Sequence, residues 1–63
     1  MTKNEVLHAF IISLKAFMVA PEGSDEEVLF NAQTTAWMKY AIARGWEDEV
    51  ATIEELVVMG DYY

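Results

Sequence analysis

Glu5 and His8 stand three residues apart. This is the Glu-x-x-His spacing with which di-iron bundles project a carboxylate and an imidazole from one helix face toward a shared metal. The pattern occurs once, no other ligating glutamates stand out, and the pair points to a mixed face of its helix. A second subunit would be needed to supply a second copy. A capping glutamate beside a solvent-exposed histidine is the plainer reading, so no metal and no cofactor are expected. Nucleophilic chemistry is no better served, because His8 is the single histidine and there is no cysteine. Ser13 has no nucleophile motif around it, and Ser24 reads as a helix cap. Paired carboxylates catalyse only across a cleft that fixes their separation, and 63 residues leave little room to enclose one. No enzymatic activity is expected.

The carboxylates themselves carry more information. From Gly45 to Tyr63 the chain holds Glu47, Asp48, Glu49, Glu54, Glu55 and Asp61, with no Lys or Arg; the four basic side chains lie earlier, at Lys3, Lys15, Lys39 and Arg44. Most of the net charge of −7 therefore sits in the last third of the chain. Such a distribution repels nucleic acid and anionic membranes and attracts basic protein surfaces. Direct nucleic-acid binding is excluded on charge, since phosphate contacts need a basic footprint. Glu47 and Glu54 are seven residues apart and Asp48 and Glu55 repeat the spacing, about 10 Å along a helix. Rows of this kind can stand where DNA phosphates would and compete for a basic groove, with Trp46 and Tyr62 as aromatic anchors. The plainer alternative is a solvated face opposite a core stripe.

Three helices, at about 3–20, 25–44 and 47–59, are expected to position these groups in one all-α domain. Thr2-Lys3-Asn4-Glu5 fits a capping box, and Val6, Leu7, Phe10, Ile11, Leu14, Phe17 and Met18 form a core stripe. Pro21 ends that helix. Ser24, with Glu27 three residues on, starts the second, and Asp25, Glu26 and Glu27 suit the positive end of its dipole. Gly45 closes it. The second helix is apolar nearly all round, which predicts packing on most sides and a place at the centre of the fold. Its faces include Leu29, Ala32, Ala36, Tyr40 and Ala43 on one side and Phe30, Trp37 and Ala41 on another. The third segment is the least determined. Trp46, Val50, Ile53 and Val57 make a stripe, yet Thr52-Ile53-Glu54-Glu55 is itself a capping box that permits a break near Thr52 into a short turn and a new helix, and Val57-Val58 permits a terminal strand from Leu56.

A chain this short buries only about 60% of its unfolded surface, and it lacks disulfides. It compensates with an apolar content of 54%. One small core cannot hide that many large side chains, so a dimer is expected, with Ile12, Val19, Phe30 and Trp37 as the apolar contact residues. No segment has the length of a membrane span, and Glu5 and His8 interrupt what a signal peptide would need. A cytoplasmic protein is the expectation.

In size, charge and lack of cysteine the chain resembles phage-encoded inhibitors such as anti-CRISPR proteins and uracil-DNA glycosylase inhibitors. The resemblance is one of composition over the whole chain and rests on no family motif. It implies a small acidic binding module that occupies a basic nucleic-acid-binding site of a protein partner by DNA mimicry. Glu47, Asp48, Glu54, Glu55 and Asp61 would carry the contact. The alternative is a structural or adaptor protein that self-associates, or binds a partner, through its apolar helix faces.

Overall fold

A computed structural model describes residues 1–60. Within them the chain forms α1 (Lys3–Val19), α2 (Asp25–Ala43) and α3 (Glu47–Met59), with no strand among the described residues. Asp61 and Tyr62, two of the expected contact residues, lie outside the described residues.

The helix ends follow from local chemistry. Thr2 caps α1 in a reciprocal capping box: Glu5 N–H donates to Thr2 Oγ1 at 3.2 Å, and Thr2 N–H donates to Glu5 Oε1 at 2.9 Å. Ala20, before Pro21, is extended (φ −69°, ψ 141°), as steric conflict with the proline ring demands. Ser24 caps α2 by accepting from Glu27 N–H at 3.1 Å, and its hydroxyl donates to Pro21 O at 2.6 Å. Glu27 reaches back one residue further than a capping box requires and accepts from Gly23 N–H at 3.1 Å. The turn into α2 is thus tied at both ends.

Gly45, after α2, has φ +88°, a conformation that costs an L-residue roughly 1–2 kcal/mol. No atom of the described residues would obstruct a Cβ there. Gly45→Ala is therefore expected to destabilise the domain by about 1 kcal/mol through backbone strain alone, read as a lower midpoint in a thermal melt.

α3 is one unbroken helix. Thr52 donates its hydroxyl to Asp48 O at 2.9 Å, back along the same helix, and starts no new element. The chain does not leave the helix until Gly60, which caps α3 in the left-handed region. The terminal strand that Val57-Val58 would have permitted from Leu56 does not form, because Val57 is drawn into the core by helical spacing from Val50 and Ile53.

The core consists of Val6, Phe10, Ile11 and Leu14 from α1, Ala41 from α2, and Val50, Ile53 and Val57 from α3. Leu7, Phe17, Trp37, Met38 and Trp46 close its margins, half-buried. The centre of the fold is α1, not α2 as the sequence suggested. α1 supplies most of the large buried groups and packs chiefly on α2, whereas α2 buries only Thr34 and Ala41 among the described residues. α2 spreads its large apolar residues, among them Leu29, Phe30, Trp37, Tyr40 and Ile42, over several sides instead of one stripe. The large side chains of α1, confined to one stripe, decide the packing. Buried Thr34 meets its polar need inside its own helix, donating to Phe30 O at 2.7 Å. Met18, expected in the core stripe, is exposed near the end of α1.

Candidate functional site

α3 buries Val50, Ile53 and Val57 and turns the opposite side to solvent. That outer side carries three parallel rows, each a pair seven residues apart and so about 10 Å long. Glu47 and Glu54 form one edge, Asp48 and Glu55 the other, and Ala51 and Val58 run between them, with Met59 at the end. All seven are exposed, Val58 at 61% and Met59 at 63%. Ala51, Glu54, Glu55, Val58 and Met59 line an open groove of ≈ 360 Å³. A second depression of ≈ 280 Å³, lined by Leu7, Asp48, Glu49, Thr52 and Ile53, opens beside the Asp48 edge where α3 meets α1. The sequence showed the acidic rows. It did not show the apolar seam, which exists only because the helix runs unbroken to Met59.

The acids of α3 differ in what holds them. Glu47, Asp48 and Glu49 occupy the first turn, where the helix dipole favours negative charge. Glu49 is also paired, accepting from Lys3 Nζ at 2.8 Å. That bond, chiefly, holds the Glu49 carboxyl below its ordinary range. Glu54 and Glu55 have neither support. They lie past the first turn, in a helix whose last turn has no basic residue, and have no side-chain partner among the described residues. Glu47 and Asp48 are likewise unpartnered there.

The Glu49–Lys3 pair gives a pH prediction with a definite sign. A carboxylate whose pKa is depressed on folding contributes stability that is fully present above its ordinary value of 4.5. This contribution is lost as pH falls through the lowered folded value. The melting midpoint of Glu49→Gln is expected below that of the wild type at neutral pH. The two should converge as the pH is brought below the folded value, and also in high salt, because the pair is exposed.

The remaining expected site residues fall in different places. Trp46 is half-buried against the core, with the Arg44 guanidinium 5.8 Å from its ring centre, and its backbone N–H donates to Ala41 O at 3.0 Å. It is the corner post between α2 and α3, and its ring is largely committed to that packing. Phe30 and Trp37 are half-buried on the inner side of α2, and Trp37 meets Tyr40 edge-to-face at 6.4 Å. Ile12 and Val19 are exposed on α1. Of the four expected apolar contact residues, two are therefore exposed and two half-buried. Glu5 is engaged in its capping box, a bond that lowers its pKa, and His8 is exposed. Ser13 is buried, and the Ser24 hydroxyl is spent on its cap.

No helix among the described residues is long and apolar enough to cross a membrane. No protein-family model, curated protein or solved structure matches this chain.

Proposed function

We propose that this protein is a non-catalytic acidic binding module that docks the outer side of α3 on a basic surface of a protein partner and excludes nucleic acid from it. The reading rests chiefly on Glu54 and Glu55. They are exposed and unpaired among the described residues, and they lie beyond the reach of the dipole that accounts for Glu47 and Asp48. Neither charge is offset by the helix dipole or by a compensating cation among the described residues. The seven-residue repeat of each row spans about 10 Å, close to three base-pair rises of a duplex. A cationic groove shaped for phosphates therefore meets charge at a compatible spacing. The seam of Ala51, Val58 and Met59 adds what a nucleic acid cannot offer, an apolar centre inside a charged rim, the usual anatomy of a protein interface.

The test uses two columns, one bearing the wild-type chain and one bearing a variant with Glu47, Glu54 and Glu55 replaced by Gln and Asp48 by Asn. Both are loaded with the same cell lysate and eluted with a salt gradient. A nucleic-acid-binding protein held by the wild type, released at moderate salt and absent from the variant column, is the expected result. Identical proteins on both columns would refute the proposal. The adaptor reading is favoured by a different observation, the exposed apolar side of α2, which concerns self-association.

A further inference from the structure

We infer that the outer side of α2 is covered by the same surface of a second copy, the two helices lying antiparallel in a homodimer. This inference does not depend on the acidic side of α3.

Only Thr34 and Ala41 of α2 are buried among the described residues. Leu29, Ala32, Ala36, Tyr40 and Ala43 all lie on the side turned away from the core, and all are exposed, with Val28 beside them. Val28 is 68% and Leu29 53% exposed. Leu29, Ala36 and Ala43 are seven residues apart, and Ala32 and Tyr40 fall between them at three and four. That spacing keeps one seam facing a partner helix along its whole length, about 28 Å for 19 residues.

The charges on this side identify the occupant. Most of a −7 surface repels its own copy, and α3, with four carboxylates unpaired among the described residues, is the least suitable place for one. The outer side of α2 is different. Asp25 stands at its N-terminal end, Lys39 and Arg44 toward its C-terminal end, and neither Asp25 nor Lys39 has a side-chain partner among the described residues. Such a face is complementary to itself when turned end over end, the condition for an isologous two-fold contact. In the register that sets Ala32 opposite the second copy's Ala36, and the reverse, the two small pairs let the helices approach closely. Val28 then lies level with the second copy's Tyr40. Asp25 comes level with its Ala43, between its Lys39 and Arg44. A parallel pair would instead set Asp25 against Asp25 and Lys39 against Lys39.

Sedimentation equilibrium of the full chain tests this, at a concentration of roughly 100 µM, enough to saturate a micromolar dimer. The wild type is expected at twice the chain mass of 7.2 kDa. Ala36→Glu introduces a charge at the seam on both copies and is expected to raise the dissociation constant by about 100-fold or more. Its helicity should not change, because Ala36 is exposed in the single chain and Glu is a good helix former. Lys39→Glu is expected to weaken the dimer, and adding Asp25→Lys to restore it, which checks the seam without relying on Ala36→Glu. A monomeric wild type would overturn the inference, as would a dimer indifferent to Ala36→Glu. A double variant weaker than Lys39→Glu alone would overturn the antiparallel arrangement.

Discussion

Replacing Glu47, Glu54 and Glu55 by Gln and Asp48 by Asn is expected to weaken binding to the basic partner by about 100-fold. Exposed charge pairs contribute about 0.2–1 kcal/mol each, so four near the upper part of that range approach the 2.7 kcal/mol that equals two decades. Most of the loss should appear in the association rate, since rim charges steer the encounter more than they hold the complex. The dependence of affinity on salt should flatten in parallel. Glu22→Gln tests whether a carboxylate outside the three rows matters: Glu22 is exposed in the turn before α2, and its loss should leave affinity nearly unchanged. Surface plasmon resonance at several ionic strengths reads both quantities. Equal affinity and an equal salt slope for the wild type and the fourfold variant would mean that the acids of α3 serve solubility only. Because Glu47 and Asp48 also complement the dipole of α3, far-UV circular dichroism must first show that the variant keeps its helicity.

Phe10→Ala is expected to leave the chain largely unfolded at room temperature. Phe10 is fully buried, at the middle of α1, in the cluster that gathers Val50, Ile53 and Val57 from α3 and Ala41 from α2. Truncating a buried phenylalanine costs about 3–5 kcal/mol, whereas a domain of this length has a total stability of roughly 3–9 kcal/mol. With no disulfide to constrain the unfolded chain, nothing covalent limits the loss. Val19→Ala is the contrast. Val19 is 83% exposed, and the change should move the stability of the single chain by less than about 0.5 kcal/mol. Thermal denaturation followed at 222 nm separates the two. A cooperative melt of Phe10→Ala near the wild-type midpoint would mean that the core is not organised around α1.

The parts of this fold that were legible in the sequence are those decided within a few residues. Thr2 with Glu5, Ser24 with Glu27, Pro21 and Gly45 each act on backbone groups three or four positions away, so the three helices could be bounded before any packing was known. Thr52 shows where that logic fails. Its sequence neighbours make a capping box, but the hydroxyl has an equally good acceptor in Asp48 O once the helix is already formed. Packing of Val50, Ile53 and Val57 on α1 keeps it formed. The place of α2 was illegible for a different reason. A helix with apolar residues on every side offers no single face to place, and which side is covered depends on the large residues of α1, far away in sequence. The candidate site divides along the same line. The acidic rows follow from spacing alone. The seam of Val58 and Met59, and the burial of much of Trp46, depend on where α3 ends and on what it rests against.

Carboxyl footprinting of the captured complex, read by mass spectrometry, tests the central claim most directly. The chain, free and bound, is labelled at its accessible carboxylates and the labelling is compared residue by residue. Protection of Glu47, Asp48, Glu54 and Glu55 on binding, with Glu22 labelled equally in both states, is the result predicted by docking through the outer side of α3. Full labelling of those four carboxylates in the complex would contradict it and would move the contact to another face of the domain.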